Sequence, residues 1–553
     1  MSNERYDYVI VGGGSAGCTL ATRLSEDRAA RVLLLEAGPR DTNPFIHMPV
    51  GFSKMTEGPL TWGYSTQAAR HCNNRVLVYP QGKVLGGGSS INALVFTRGC
   101  LQDYDGWVEK DGCVGWSGDE VLPYFRKSEG NIRLGGPYHG TEGPLKVSDN
   151  GHISPLTSAF VRAAQEAGLP FNTDFNGASQ AGCGYYQTTS FDGKRCSAAV
   201  GYLRPAMSRP NLKLVTGCQV LRILFSGARA TGVEYAVGGS VKKATAATEV
   251  VLTAGAIGSP KILMLSGIGP ADHLRALGIP VVLDNPAIGG NLHDHLDLDI
   301  VAELKGPFSY DKYKKPHWKL WAGMEYFMFG RGPVSSNIAE GGAFWWGDKD
   351  QATPDLQFHF LPGAGVEKGI GEVPGGNGCT LNSYHLRPRS RGRVSLSSSD
   401  PAAAPLIDLN CFADPYDMDC SIEGVRKSLE ILQQPAMAPF LRRIHTPGEI
   451  PRSHEEFVTF VRSHARTAYH PVGTCRMGGD EASVLDPQMR LRGIEGLRVC
   501  DSSAMPRIVS SNTNAPTIMM AEKAADMILG KPALAISDRA EGPQTKEPAH
   551  ASL

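Results

Sequence analysis

The sequence predicts an α/β protein, with one unit built on a mostly parallel sheet and a second, α+β unit built on a mostly antiparallel sheet. Three observations predict it. Residues 7–38 read as strand, glycine turn, helix and second strand. A second strand runs into a glycine corner and a helix near residue 255. Between residues 300 and 460 the pattern changes to separated short strands with two long helices.

The first stretch is DYVIVGGGSAGCTLATRLSEDRAARVLLLEAG. Tyr8 to Val11 is an apolar run of strand length, Cys18, Ala21 and Leu24 recur at helical spacing, and Arg31 to Leu35 is a second strand ending in Glu36. Gly12 permits the sharp turn, Gly14 lets the backbone approach a pyrophosphate, and Gly17 allows close helix–sheet packing. Ser15 and Ala16 complete the turn into a helix whose free N–H groups suit phosphate. Glu36, followed by Ala37, stands 24 residues beyond Gly12, where a carboxylate can hold an adenosine ribose. The stretch predicts a dinucleotide site and leaves FAD and NAD both open.

Residues 39–81 are turn-rich and set Trp62 and Tyr64 in a loop, as packing or as ligand contacts. Gly86-Gly87-Gly88-Ser89-Ser90 then offers a nest of backbone N–H groups between the apolar Val84-Leu85 and Ile91. Gly87, Ser90, Asn92 and Ala93 are its candidate cofactor contacts. Trp107, Trp116, Tyr124 and Phe125 suggest short amphipathic helices, and Ser154-Pro155 starts a helix that Gly168 stops. Cys196 to Leu203 reads as a helix closed by Pro205. Strands follow at 212–216, 219–225, 233–235 and 249–253, then the corner at Gly255 and a helix over 259–266. His293 and His295 share a strand face, but without a clear third ligand they make a weak metal site, and none is expected. The antiparallel unit takes strands at 355–361, 379–386 and 392–396 and helices at 418–432 and 454–464. His470 is placed at the end of a helical segment, Asp501 at the tip of a strand, and Asn512-Thr513 before an apolar helix over 518–529.

The 553 residues are too many for one ordinary core, so two domains are expected. Lys+Arg and Asp+Glu are 55 each, so no field favours nucleic acid. The twelve cysteines form no CxxC pair, which predicts buried free thiols in a reducing cytoplasm. The polar start MSNERYDY is no signal peptide, and no apolar run approaches the roughly 20 residues of a membrane span, which leaves peripheral contact at the inner membrane open.

These motifs, in this order, resemble the glucose-methanol-choline (GMC) oxidoreductases over about residues 5–530. The stretches Glu36 to Pro44 and Asn337 to Glu340 are similar to bacterial FAD-dependent primary alcohol dehydrogenases, with polyethylene glycol and choline dehydrogenases as near neighbours. The resemblance implies a Rossmann-like FAD-binding domain from residues 1–155, 196–300 and 465–530, a substrate domain from 156–195 and 301–464, and a polar tail, 531–553, expected to be disordered. It implies His470 as catalytic base with Asn512 as partner, Val220 at the adenine and Asp501 at the flavin. Some members bond the flavin to a histidine just after the serine pair; here that residue is Ile91, so FAD is expected to be non-covalent.

The expected reaction is oxidation of a primary alcohol to an aldehyde, with proton transfer to His470, hydride transfer to flavin N5 and electrons passed to a quinone or other non-oxygen acceptor. The alternatives are an oxidase producing hydrogen peroxide, a choline or polyethylene glycol dehydrogenase, and a lyase with structural FAD. Glu340 is read as satisfying buried backbone groups ahead of binding a cationic substrate. Phe344, Trp345, Trp346, Phe358 and Phe360 are either pocket lining or core, and His47, His139, His359 and His385 have no motif to support a role.

Overall fold

The computed structural model describes residues 4–536; the expected tail beyond 536 lies outside the described residues. In chain order the elements that place the site are β1 (Glu4–Val11), α1 (Ser15–Leu24), β2 (Val32–Leu35), α2 (Pro155–Glu166), β3 (Gly182–Tyr185), β4 (Leu212–Val215), β5 (Cys218–Ser226), β6 (Arg229–Val237), β7 (Ser240–Leu252), α3 (Gly255–Leu265), β8 (Leu296–Leu304), α4 (Pro316–Phe329), β9 (Gly341–Trp345), β10 (Leu356–Leu361), β11 (Gly378–His385), α5 (Pro415–Leu432), β12 (Leu441–Thr446), α6 (His454–His464), β13 (Arg466–Thr467), β14 (Leu497–Val499) and α7 (Asn514–Ile528).

The first sheet has the order β4-β2-β1-β7-β6-β5, with β14 also paired to β7. Its centre is parallel, because glycine corners and crossovers return the chain in the same direction. Val11 pairs with Leu35 and Leu252, and Leu252 with Val499, so the carboxyl ends of four strands lie side by side. Gly12, Glu36, the Gly255 corner and Asp501 follow those ends, where open α/β sheets bind ligands. The all-apolar Val32–Leu35 is buried throughout, as a central parallel strand requires.

The second sheet is antiparallel in the order β12-β8-β11-β10-β9-β3, with β13 paired to β8. β8 reads LDLDIVAEL and every residue is buried, so both of its faces are covered. Leu296, Leu298 and Ile300 join a core with Phe358, Phe360, Leu381 and the α5 residues Ile422, Val425 and Leu429. The opposite face is polar. Asp297 pairs with Tyr384, Asp299 with Asn382, Gln357 with Tyr384 and His359 with Asn382. This polar face becomes the roof of the candidate site.

Several local expectations shift, among them the strand expected at 392–396, which at Arg393–Ser395 pairs with Leu406–Asp408 in a separate two-stranded sheet outside the second sheet. The helix after the second corner starts at Gly255, not Ser259, and runs through Pro260. Pro260 cannot donate to the Ala256 carbonyl, and the Thr474 hydroxyl does so instead, at 2.6 Å. Residues 199–203 form a wide π-type turn that continues into Arg204–Ala206, with Pro205 inside that turn and not closing it. His470 follows β13 and a left-handed Tyr469 (φ +67°), so it stands on a loop beyond a strand, not at a helix end. Ser154 caps α2 through Leu156 N–H as expected, and all twelve cysteines are buried and free.

The turn out of β1 has no spare room. Gly12 adopts φ +109°, where a Cβ would sit 2.5 Å from the Thr253 carbonyl, and a Cβ on Gly17 would lie 1.8 Å from the Gly12 carbonyl. Gly17→Ala must push α1 off the sheet, at a cost of about 3 kcal/mol or more. Thermal denaturation should show a clearly lowered midpoint, and an unchanged midpoint would contradict this packing.

Candidate functional site

One continuous cavity runs from the carboxyl ends of the parallel sheet to the polar face of the antiparallel sheet. Gly12, Gly14, Ser15, Ala16, Glu36, Ala37, Gly87, Asn92, Ala93, Val220, His470, Asp501, Asn512 and Thr513 all border it. Gly17 and Ser90 do not. Gly17 is spent on helix packing, and the Ser90 hydroxyl donates to the Leu85 carbonyl at 2.7 Å, fixing the nest from behind. Trp62 and Tyr64 border the cavity as a stacked pair, with the Lys83 ammonium 4.6 Å from the Trp62 ring.

One end is a cradle of backbone. The N-cap of α1 is Gly14, with no side-chain cap, so the first N–H groups of the helix stay available. Gly87 (φ +54°) approaches so closely that its Cβ would lie 2.7 Å from Gly14 Cα. Glu36 accepts from Gly13 N–H and Gly38 N–H, each at 2.7 Å, and burial pushes its carboxyl up to about 7. Asp501 accepts from Gly255 N–H (2.9 Å) and the Ser259 hydroxyl (2.6 Å), so its carboxylate ties β14 to the second corner.

The other end is a chain of side chains. His295 Nε2 faces the Leu386 carbonyl at 3.2 Å, an acceptor, so Nε2 carries the proton. Burial holds His295 well below its ordinary range, so the ring is neutral and its Nδ1 is a lone pair. That Nδ1 lies 3.2 Å from His470 Nδ1, which must therefore be the protonated nitrogen of His470. Burial lowers His470 to about 4, leaving Nε2 unprotonated. His470 Nε2 lies 3.3 Å from Asn512 Nδ2. The amide of Asn512 is oriented by its Oδ1, which accepts from Thr97 Oγ1 (2.9 Å) and Gln357 Nε2 (3.1 Å). Gln357 Nε2 also meets His359 Nε2 at 2.8 Å, and His359 Nδ1 meets the Tyr384 hydroxyl at 3.0 Å.

Behind His470, Asp294 accepts from its backbone N–H (2.8 Å), from the Tyr79 hydroxyl (2.8 Å) and from Thr467. The 291–295 segment thus positions His470. Both nitrogens of His293 are engaged, with the Asn291 carbonyl at 2.6 Å and Ile508 N–H at 2.8 Å, so neither is free to ligate a metal. Above the cavity, Arg466 pairs with Asp297, with Asp299 (2.8 Å) and with Glu367 (2.6 Å).

Two GMC oxidoreductase family models match residues 6–297 and 388–521. The chain is a GMC oxidoreductase. It is 44% identical to an alcohol dehydrogenase (acceptor) from Pseudomonas putida over 97% of this chain and 98% of that one. It is also 44% identical to human mitochondrial choline dehydrogenase, over 96% of this chain and 91% of that one. A crystal structure of pyridoxine 4-oxidase from "Mesorbium loti" superposes with TM-score 0.86 at 30% identity, over 95% of this chain and 100% of that one. A point variant of formate oxidase from Aspergillus oryzae superposes with TM-score 0.90 at 28% identity, over 96% of this chain and 99% of that one. This GMC oxidoreductase is an FAD-dependent enzyme, and the glycine cradle, the uncapped helix and the buried Glu36 fit that cofactor.

The residues that motif reading misses are Thr97, Asp294, His295, Gln357, His359, Tyr384 and Arg466. A partial signal exists, since Gln357 and His359 alternate with apolar Leu356, Phe358 and Phe360 along β10. The same alternation settles the aromatic residues. Phe358 and Phe360 lie in the core on the far face, Phe344 packs on Phe175, and none of the five aromatics borders the cavity.

Glu340 is fully buried away from the cavity. It accepts from Ser154 N–H (2.7 Å), Thr157 Oγ1 (2.6 Å), Ser336 Oγ (2.7 Å) and the Tyr310 hydroxyl. These four donors take up the carboxylate, as the structural reading expects. Glu340→Gln places an amide donor among donors and should destabilise the protein by roughly 2–4 kcal/mol. Urea unfolding would measure this, and a variant as stable as the parent would remove the carboxylate from the fold's support.

Proposed function

We propose that this enzyme oxidises primary alcohols to aldehydes, with residues 1–155, 196–300 and 465–530 holding FAD and residues 156–195 and 301–464 shaping the substrate chamber. The observation that carries the reading is the placement of His470, with Nδ1 3.2 Å from His295 Nδ1 and Nε2 3.3 Å from Asn512 Nδ2. A hydroxyl placed there can give its proton to Nε2 while its oxygen accepts from Nδ2. The glycine cradle, Glu36 and Asp501 would hold FAD, whose chemistry there would be to accept the carbinol hydride and relay both electrons to an external acceptor. Tyr384, whose oxygen accepts from His359 Nδ1–H, keeps its own O–H free for the substrate side. Ile91 borders the cavity where a covalent link would need a histidine, which supports non-covalent FAD. The acceptor is read as a quinone or another non-oxygen oxidant, in line with the similarity to an alcohol dehydrogenase (acceptor).

A second reading, a cationic amino alcohol such as choline, is favoured by two carboxylates at the chamber, Asp297 and Glu367, and by the similarity to choline dehydrogenase. Flavin bleaching without oxygen by 1-butanol, set against choline, separates the two. Recovery of the colour in air with peroxide would replace the quinone by oxygen, and a flavin that no alcohol bleaches would favour the lyase.

His470→Ala should slow bleaching by about 10²–10⁴-fold while FAD stays bound. Near-normal bleaching would sink the role of His470. The base must be neutral, and a histidine lowered to about 4 is protonated only as pH falls through that value. Bleaching rates in stopped flow should therefore be level from pH 8 down to about 5.5 and drop about tenfold per unit below 4. A fall already centred near pH 6.5 would show that the imidazole is not held in a dry site.

A further inference from the structure

Among the described residues the least satisfied surface is α4, PHWKLWAGMEYFMF. Only Ala322 and Tyr326 of its 14 residues are buried. Leu320 is 65% exposed, Phe327 76%, Met328 65% and Phe329 61%, and Trp318, Trp321 and Met324 are exposed beside them. Soluble surfaces rarely gather large apolar side chains in this way. At 3.6 residues per turn these seven positions sweep more than half of the helix circumference. A rigid protein partner covers one face of a helix, whereas a fluid phase closes around a ridge.

The charges around the helix choose the fluid. Residues 305–331 carry six basic side chains, Lys305, Lys312, Lys314, Lys315, Lys319 and Arg331, and two acids, in a chain whose total charge is balanced. Lys312 lies 5.0 Å from the Tyr313 ring and 5.5 Å from the Trp318 ring, and Arg331 lies 5.1 Å from the Phe329 ring. Basic heads on aromatic flanks are the arrangement of a helix that lies at a membrane interface, with the cations toward lipid phosphates. At about 21 Å the helix is too short to cross the roughly 30 Å hydrocarbon layer. Among the described residues no helix is long and apolar enough to span.

We propose that α4 docks this enzyme onto an anionic phospholipid bilayer, with Trp318, Trp321, Phe327 and Met328 inserted among the acyl chains. Just before the helix, Tyr310 belongs to an apolar cluster with Phe52, Leu361 and Ile338, and Phe52 and Leu361 also border the cavity. Docking therefore turns that cavity wall toward the bilayer, where a lipid-soluble quinone would meet it. This last step rests on the acceptor reading above, while the docking itself does not.

The test is co-sedimentation of the full-length, FAD-loaded protein with vesicles of phosphatidylcholine, with and without phosphatidylglycerol. The protein should pellet with the anionic vesicles, less so at high salt, and brominated lipids should quench its tryptophan fluorescence. Leu320→Glu/Phe327→Glu/Met328→Glu should bind at least roughly tenfold more weakly while 1-butanol still bleaches its flavin in solution. Lys312→Glu/Lys315→Glu/Lys319→Glu should lose the preference for anionic lipid. The proposal is overturned if the parent stays in the supernatant with both vesicle types, or if the triple glutamate variant pellets as well as the parent. It is also overturned if velocity sedimentation shows a dimer that the glutamates split, which would make a second copy the occupant. Binding to vesicles by a protein that reduces oxygen but no quinone would keep the docking and reject the acceptor reading.

Discussion

The contact on which the rest depends is one without side chains. Gly17 rests on the Gly12 carbonyl, and the Thr253 hydroxyl donates to that same carbonyl at 2.7 Å. Three chain segments, the ends of β1 and β7 and the first turn of α1, converge on a single oxygen. Any side chain at Gly12 or Gly17 would separate them. Their closeness aims the uncapped end of α1 at the space beside Gly87, and it brings the Gly255 corner near enough for Asp501 to bind it. The position of the helix dipole thus follows from the missing Cβ atoms.

The second half of the site depends on dryness. Burial lowers His295, His359 and His470, so three imidazoles share one hydrogen-bonded chain without adding charge to it. Each neutral ring has one donor and one acceptor, and the Leu386 carbonyl at one end fixes the direction of every later bond as far as Asn512. The tautomer of His470 is therefore set by a main-chain carbonyl on the far side of the His295 ring. A proton added to any ring would turn its acceptor nitrogen into a second donor and break that order.

The cofactor half is legible in the sequence because backbone geometry there demands glycine, and three glycines at fixed spacing between apolar runs leave that segment little else to be than a tight strand-to-helix turn. Glu36 and Asp501 are legible as acids at strand tips. Gly87 is legible and Ser90 is not, since a hydroxyl that faces back to Leu85 looks the same in sequence as one that faces a ligand. His470 and Asn512 emerge only through resemblance, and they touch across 42 positions of chain. Gln357, His359 and Tyr384 carry no motif because a sheet face requires only alternation and leaves the spacing between strands free. The helix through Pro260 starts earlier than its residues suggest because the donor that replaces the missing N–H, Thr474, is more than 200 residues away.

The same sheet face sets the charge of the chamber. Arg466 is surrounded by Asp297, Asp299 and Glu367, three acids to one guanidinium. Burial pushes Asp297 up while the Arg466 guanidinium pulls it back, and Asn382 Nδ2 at 2.9 Å and Arg466 share its oxygens. Three acids around one guanidinium give the chamber an acidic balance beyond the histidine chain. A hydroxyl donor is welcome in that field, and so is an ammonium, whereas a carboxylic acid product would be repelled. Whatever alcohol enters, the chamber favours an uncharged or cationic molecule over an anionic one.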